Sequence, residues 1–392
     1  MNTGTRGRPA WANTALVSTA SLILAFAVAM VIMVVTDAEI MAKYAYFIAR
    51  PGDALDATFG KIALTFEAMY VGSLGSVTAL TETTAEAAPL IAAGLGVALA
   101  FRAGLFNIGA QGQAVMGALL GAYLGFSVTG LPLLLHLPLV ILAGVLMGAL
   151  WGGVVGLIKA RTGAHEVILT IMMNYVAANI LSYLLKQPFM RQPGVSNPIA
   201  PVLEWSATLP RIAGTRLHLG FGLALLAALG CWWLLERTRF GLQLQAVGLN
   251  PDAAATTGTS VGRVTFTTMA LAGGLAGLGG LITVTAPVIL TSYPPQLTVS
   301  IIGTLGFDAI TVALLGRSRP IGVVLAGLLF GALKASRTAM VTIADTPKQL
   351  VDLIQALIVL LVAAPAFVTW LLPFLKERRR GAVRTVPKEA KA

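Results

Sequence analysis

The sequence predicts an all-α fold, a polytopic membrane helix bundle of about ten transmembrane helices with an inverted internal repeat. Three observations carry this. The 392 residues are 57% hydrophobic and only 11% charged, against about 25% charged in soluble domains. Apolar runs near the roughly 20 residues that cross a bilayer recur along the whole chain. An octet in the first half, AGVLMGAL at 143–150, returns as AGLLFGAL at 326–333, identical at six of eight positions.

Taken from the N-terminus, Arg6 and Arg8 precede an apolar run over 14–36. It is longer than a signal-peptide core and no small-x-small cleavage site follows, so it is expected to remain as the first span. Residues 37–83 fit a span poorly, because Asp37, Glu39, Asp53, Asp56, Glu67 and Glu82 recur among apolar residues, with Arg50-Pro51-Gly52 as a turn. They are expected to be external, with one or two helices along the membrane surface. Spans follow over 84–101, 105–127, 138–158 and 167–186. Residues 187–217, with five prolines and polar turns, read as a second external segment, a lid.

The second half offers spans over 218–235, 264–286, 299–316, 321–338 and 350–371. Residues 1–372 then form the transmembrane domain and 373–392 a basic cytoplasmic tail. In this threading most of the 27 Lys and Arg lie on one side, which places both termini in the cytoplasm by the positive-inside rule. The two octets run in opposite directions, so the repeat is inverted. Glycines at four-residue spacing, Gly117-Gly121-Gly125, Gly144-Gly148-Gly152-Gly156, Gly273-Gly277 and Gly327-Gly331, mark helix faces where two backbones approach closely.

The longest polar interval on the cytoplasmic side is 236–263. Within it Asn250 can cap a helix, Pro251 suits the first helical position and Asp252 the positive first turn. Ala253 to Ala255 carry the helix and Gly258 ends it. The result is about 10 Å long at 1.5 Å per residue. Such a helix cannot span a bilayer and has little reason to form alone. It reads as a docking element for a soluble partner.

Several chemistries are excluded. No glycine-rich loop runs into Gly-Lys-Ser/Thr, so the chain does not bind ATP by that device. His136, His165 and His218 are scattered and the single Cys231 lies in an apolar run, so no metal, cofactor or disulfide is expected. Gly258-Thr259-Ser260-Val261-Gly262 matches a serine-hydrolase elbow, which needs a strand before it and a helix after it. Here a short helix precedes it, and the chain is not read as an enzyme. The net charge of +11 sits at the ends of apolar runs, an orientation signal and not a nucleic-acid surface.

Polar side chains inside the runs are the candidates for a solute pathway: Asn107, Gln111, Gln113, Asn174 and Asp308. Amides and a carboxylate can bond the hydroxyls of a neutral polar solute, or equally can bond neighbouring helices. Glu166, in a first helical turn, complements the helix dipole.

Four segments now carry a resemblance. FRAGLFNIGAQGQAVMGALLGAY (101–123), TGAHEVILTIMMNYVA (162–177), AVGLNPDAAATTG (246–258) and GFDAITVALLGRSRPIG (306–322) resemble, in matching order, the permease family of bacterial ABC importers for simple sugars and nucleosides. The nucleoside branch is the nearest. The resemblance covers residues 80–340 and implies an inner-membrane permease. It implies a second permease subunit (a heterodimer), a cytoplasmic ABC ATPase, an extracytoplasmic solute-binding protein, and a nucleoside or sugar as cargo. Gly248, Asn250, Pro251, Asp252, Ala253, Ala254 and Gly258 would form the family's coupling helix, seated in a groove of the ATPase. Two positions depart from the family. An acid often stands where Gln111 is and Asn where His165 is, so Gln111 keeps hydrogen bonding and loses the charge. An ion-coupled secondary transporter is the alternative class that an inverted repeat permits. It would bury an ionisable group for ion coupling, and Asp308 is the residue that qualifies.

Overall fold

The structure, a computed structural model, describes residues 10–212, 214–286, 295–347, 349–363, 367, 368 and 371. The tail expected over 373–392 lies outside them. The described elements are helical: α1 (Ala10–Thr36), α2 (Ala38–Tyr44), α3 (Pro51–Ser73), α4 (Val77–Arg102), α5 (Ala110–Ser127), α6 (Leu133–Thr162), α7 (Glu166–Leu184) and α8 (Leu219–Arg237) make the first part. Then come α9 (Arg239–Leu249), α10 (Pro251–Thr256), α11 (Val261–Thr285), α12 (Leu305–Leu315), α13 (Pro320–Ala335), α14 (Arg337–Ala344) and α15 (Gln349–Ala363). Among the described residues seven spans are long and apolar enough to cross a membrane: those in α1, α4, α6, α7, α8 and α11, and α13 continued by α14. The other three expected spans correspond to α5, α12 and α15.

The centre of the bundle is the pair α4 and α11. Of their apolar windows 78% and 72% are buried, against 28% for α6 and 17% for α7. Their packing is swapped between halves: α4 lies on α12 and α13, α11 lies on α5 and α6, and α4 and α11 lie on each other. An inverted repeat produces this arrangement, because each half completes the core of the other. The expected glycine faces are the seams. A Cβ on Gly148 of α6 would sit 2.3 Å from the carbonyl oxygen of Gly273 on α11, and one on Gly331 of α13 would sit 2.6 Å from Thr83 O on α4. No side chain fits there, so the backbones meet directly.

Three spans differ from their expected limits. The 299–316 run is helical only over Leu305–Leu315, about 16 Å at 1.5 Å per residue. Residues 299–304 are turns, with Gly303 at φ +51. The 105–127 run likewise starts its helix only at Ala110, after Gly104 at φ +70 and a bond from Gly109 N to Asn107 Oδ1 of 2.9 Å. α4 begins seven residues earlier than expected, capped by Ser76, whose side chain accepts from Ala79 N. Glu82 and Glu86 therefore lie on a helix.

Within 37–83 the structure has the short α2 and the 23-residue α3. α3 lies along α14, with Gly72 against Ser336 and Ala339. Lys61 bridges Asp37 at 3.1 Å and donates to Asp345 O at 3.2 Å. Burial pushes the Asp37 carboxyl up, but bonds from Ile40 N and Lys61 outweigh it and leave the group below its ordinary value.

The two ends of the bundle are distinct. At one, which we call the platform, the ends of α4 and α8 and the start of α11 meet α9, and α10 packs against α9 and α11. At the other, residues 187–217 cross the bundle and are tied to it by backbone bonds. Ala200 N donates to Leu297 O (2.9 Å), Glu204 N to Gly125 O (2.9 Å) and Leu209 N to Thr285 O (3.1 Å).

Candidate functional site

The platform is built from capped helices. Thr238 starts α9, its Oγ1 accepting from Gly241 N at 3.0 Å. Leu244 and Val247 are buried beneath α9, with Phe240 packed against them. The sequence reading missed this helix. Its signal was present: Phe240, Leu244 and Val247 recur at helical spacing behind a threonine cap. α10 follows as anticipated. Asn250 Oδ1 accepts from Asp252 N and from Ala253 N, each at 3.0 Å. Pro251 is the first helical residue, and Gly258 takes φ +85 just past the end.

α10 stands out from the bundle: Pro251, Asp252, Ala253 and Gly258 are exposed, and Ala254 is the residue it buries. Beside it Leu249 is 88% exposed. The base of this knob is tightly seated. A Cβ on Gly248 would lie 2.2 Å from Arg102 O, at the end of α4. Arg102 in turn donates from Nε to Ser318 O at 3.0 Å, in the turn between α12 and α13. Lys159 and Glu166 pair at 2.6 Å between α6 and α7, and Glu166 also accepts from Phe106 N at 3.5 Å. The base of α10 thus adjoins the end of α4 through Gly248, and through Arg102 the α12–α13 turn.

The five polar residues expected inside the spans all have intramolecular partners. Asn107 and Gln113 are fully buried and bond each other reciprocally, at 3.1 and 3.3 Å. Asn174 of α7 holds the start of α5, accepting from Gly112 N (2.8 Å) and donating to Ile108 O (3.0 Å). From Glu166 to Asn174 α7 rises about 12 Å, so α5 begins well inside the bundle. There Gln111 joins it to α12: Nε2 donates to Gly303 O and Oε1 accepts from Gly306 N, both at 2.7 Å. The starts of two interrupted helices meet at this junction. Glycine is needed at 306, because a Cβ would lie 2.1 Å from Gln111 N.

Asp308 lies in the first turn of α12 and pairs with Lys334 of α13 at 2.7 Å, while Thr304 Oγ1 donates to the same carboxylate oxygen at 3.1 Å. Lys334 was not singled out from the sequence. Its partner sits 26 residues away on another helix, and no local pattern connects them. The structure thus brings Gln111 to the loop that precedes α12, keeps Asn107 with Gln113, and gives Asp308 a partner of its own. Among the described residues no group of three His, Cys, Asp or Glu is placed to hold a metal ion.

At the far end Arg216 ties the lid to α4, 2.6 Å from Glu82 and 3.8 Å from Glu86. His218 caps α8, its Nδ1 accepting from Gly220 N at 3.1 Å. Burial, with the Arg216 charge nearby, pushes this imidazole down to about 4.

The chain as a whole has relatives among known proteins. The family model described as branched-chain amino acid transport system / permease component matches residues 79–363. The chain belongs to that permease family. This permease is 35% identical over 324 residues to the guanosine ABC transporter permease protein of Bacillus subtilis, covering 81% of this chain and 90% of that protein. It is 35% identical over 311 residues to a glucose ABC transporter permease protein of Haloferax volcanii, covering 76% and 80%. It is 32% identical over 321 residues to a nucleoside ABC transporter permease protein of Lactococcus lactis, covering 79% and 86%. No solved structure gives a significant match. The permease is a multi-pass membrane protein and not an enzyme. Its family implies an ATPase, a second permease and a solute-binding protein as partners in general.

Proposed function

We propose that this permease forms the translocation pathway of an ATP-driven ABC importer whose cargo is nucleosides. The observation that carries the reading is the platform knob. α10 and Leu249 stand exposed at the end of the bundle where Arg102 closes α4, Arg237 closes α8 and Arg263 opens α11. On α9 the exposed Leu242 and Leu249, seven residues apart on one face, flank the capped helix and offer an apolar patch to a protein partner. On this reading the platform faces the cytoplasm, both termini lie there, and α10 seats in the ATPase. Gly248 and the Arg102–Ser318 bond pass its movement to α4 and to the α12–α13 turn. The lid faces outward toward the solute-binding protein, the second permease differs from this chain, and residues 373–392 form a cytoplasmic tail. Asn107, Gln111, Gln113, Asn174 and Asp308 then shape the pathway by holding α5, α7, α12 and α13 in register, since each already has a protein partner.

The cargo follows the guanosine and nucleoside relatives. Glucose is the second reading, favoured by the sugar permease of equal identity. Uptake of labelled guanosine and of labelled glucose, with the gene deleted and then restored, tests both. Guanosine uptake is expected to disappear on deletion and to return on restoration. Loss of glucose uptake alone would move the cargo to sugars. Loss of neither would exclude both cargoes and leave the permease reading standing. Leu249→Glu is expected to abolish uptake while leaving the permease in the membrane.

A further inference from the structure

α7 is the least buried of the helices long and apolar enough to cross a membrane, and its outward face differs from those of its neighbours. α6 exposes Leu134, Leu139, Leu142, Leu146 and Leu150, an unbroken aliphatic surface suited to lipid. α8 exposes Leu225, Leu226 and Leu229, with Trp232 and Trp233 toward its platform end, where membrane-interface aromatics belong. α7 instead exposes Tyr175 (64%), Asn179 and Tyr183 (64%), spaced four residues apart on one face. With Met172, Val176 and Ile180 they line a notch of about 480 Å³.

Depth makes the contrast decisive. Glu166 is held at the platform by Lys159, and from there α7 rises about 13 Å to Tyr175 and about 20 Å to Asn179. Both therefore lie in the middle of an apolar layer about 30 Å thick. Asn179 Nδ2 donates to Tyr175 O at 2.8 Å. Among the described residues Asn179 Oδ1 and the Tyr175 hydroxyl have no partner at this depth; the Tyr183 hydroxyl, also without one, lies about 25 Å up, near the far edge of the layer. Polar groups left open at mid-depth face a cavity or a partner, and not hydrocarbon.

We infer that this face of α7 is a wall of the solute pathway, on which Tyr175 and Tyr183 stack the flat ring of the solute while Asn179 Oδ1 accepts a hydrogen bond from it. The inference rests on the permease reading and deepens it. Aromatic rings stack on any nucleobase through its π-face, and the ladder offers such surfaces at two successive depths. The pathway then runs along the outside of this chain, and the second permease closes it.

The single native cysteine is buried, so a Cys231→Ala background allows site-directed labelling. Tyr175→Cys, Asn179→Cys and, for the α6 lipid face, Leu146→Cys are made in the full importer in native membrane vesicles. A charged, membrane-impermeant thiol reagent is applied with and without guanosine. Positions 175 and 179 are expected to react at least about tenfold faster than 146, and guanosine to slow them. Reaction as slow as at 146 would overturn the inference while leaving nucleoside uptake, and thus the permease reading, intact. Fast reaction slowed by glucose and not by guanosine would overturn the ring-stacking assignment and the nucleoside cargo together. As a second measurement, Tyr175→Leu is expected to raise the half-saturation concentration for guanosine uptake about tenfold, with Tyr175→Phe near wild type. Wild-type behaviour of the leucine variant would also overturn the inference.

Discussion

Replacing Asp308 by Asn tests whether the carboxylate on α12 serves the fold or the solute. In the structure it lies 2.7 Å from Lys334, and the two side chains are 14% and 17% exposed. Exposed pairs contribute about 0–1 kcal/mol, whereas removing one member of a buried pair costs about 3–5 kcal/mol because the other charge is left uncompensated. This pair is mostly buried, so Asp308→Asn should cost about 3 kcal/mol. The amide oxygen still accepts from Thr304, which keeps the change local. A loss of that size corresponds to a fall in apparent Tm on the order of 5 °C, read by thermal aggregation of the purified permease in detergent. Adding Lys334→Met removes the stranded ammonium and should recover most of the loss, since neutral replacement of both members of a buried pair is often close to neutral. Uptake should recover with it. A double variant as unstable and inactive as the single one would refute the structural account and return Asp308 to solute contact.

Three further outcomes follow from the geometry. Asn250→Ala removes both capping bonds of α10 and should cost the knob about 1 kcal/mol, lowering solute-stimulated ATP hydrolysis several-fold in the reconstituted importer. Asn250→Ser should retain most of it, and equal coupling by Ala and Ser would show that the cap is not needed. Gln111→Leu deletes the two bonds between α5 and the start of α12, at about 1 kcal/mol each. Gln111→Glu keeps the bond from Gly306 N and should be the milder change in uptake; the reverse order would mean that the junction is not held as described. His218 has a folded value near 4 against about 6.5 when unfolded. The neutral ring is the form that caps α8, so its contribution is complete above about pH 6.5 and falls as pH drops toward 4, by up to about 3 kcal/mol. Hydrogen exchange at Gly220 and across 214–219, corrected for intrinsic rates, should rise between pH 7 and pH 5 and stay flat in His218→Asn.

Much of the molecule was legible in the linear chain, because lipid imposes rules that act locally. A span must be apolar over its own length, so α1, α4, α6, α7, α8 and α11 could be read without knowing their neighbours. The α10 knob was legible for a related reason: Asn250, Pro251 and Gly258 each satisfy a backbone need within a few residues. Glycine spacing likewise announced the α6–α11 seam, since close approach requires the absence of a side chain wherever the partner lies.

What the chain could not announce depends on pairs distant in sequence. Residues 299–304 are as apolar as a span, yet they do not continue the helix. Their backbone is held from outside by Gln111, nearly two hundred positions away. Asp308 looked like a lone intramembrane acid until folding set Lys334 beside it. The phenols of α7 were not singled out in the sequence. Only the tertiary structure left Tyr175 and Asn179 outward at mid-depth, beside an α6 face that is aliphatic. Composition and local capping determined that the chain is a bundle of membrane helices with a short, exposed, capped helix between two of them. Which polar groups bind each other, and which remain open to a solute, was decided by helix packing, because a hydrogen bond belongs to two residues and only the fold brings them together.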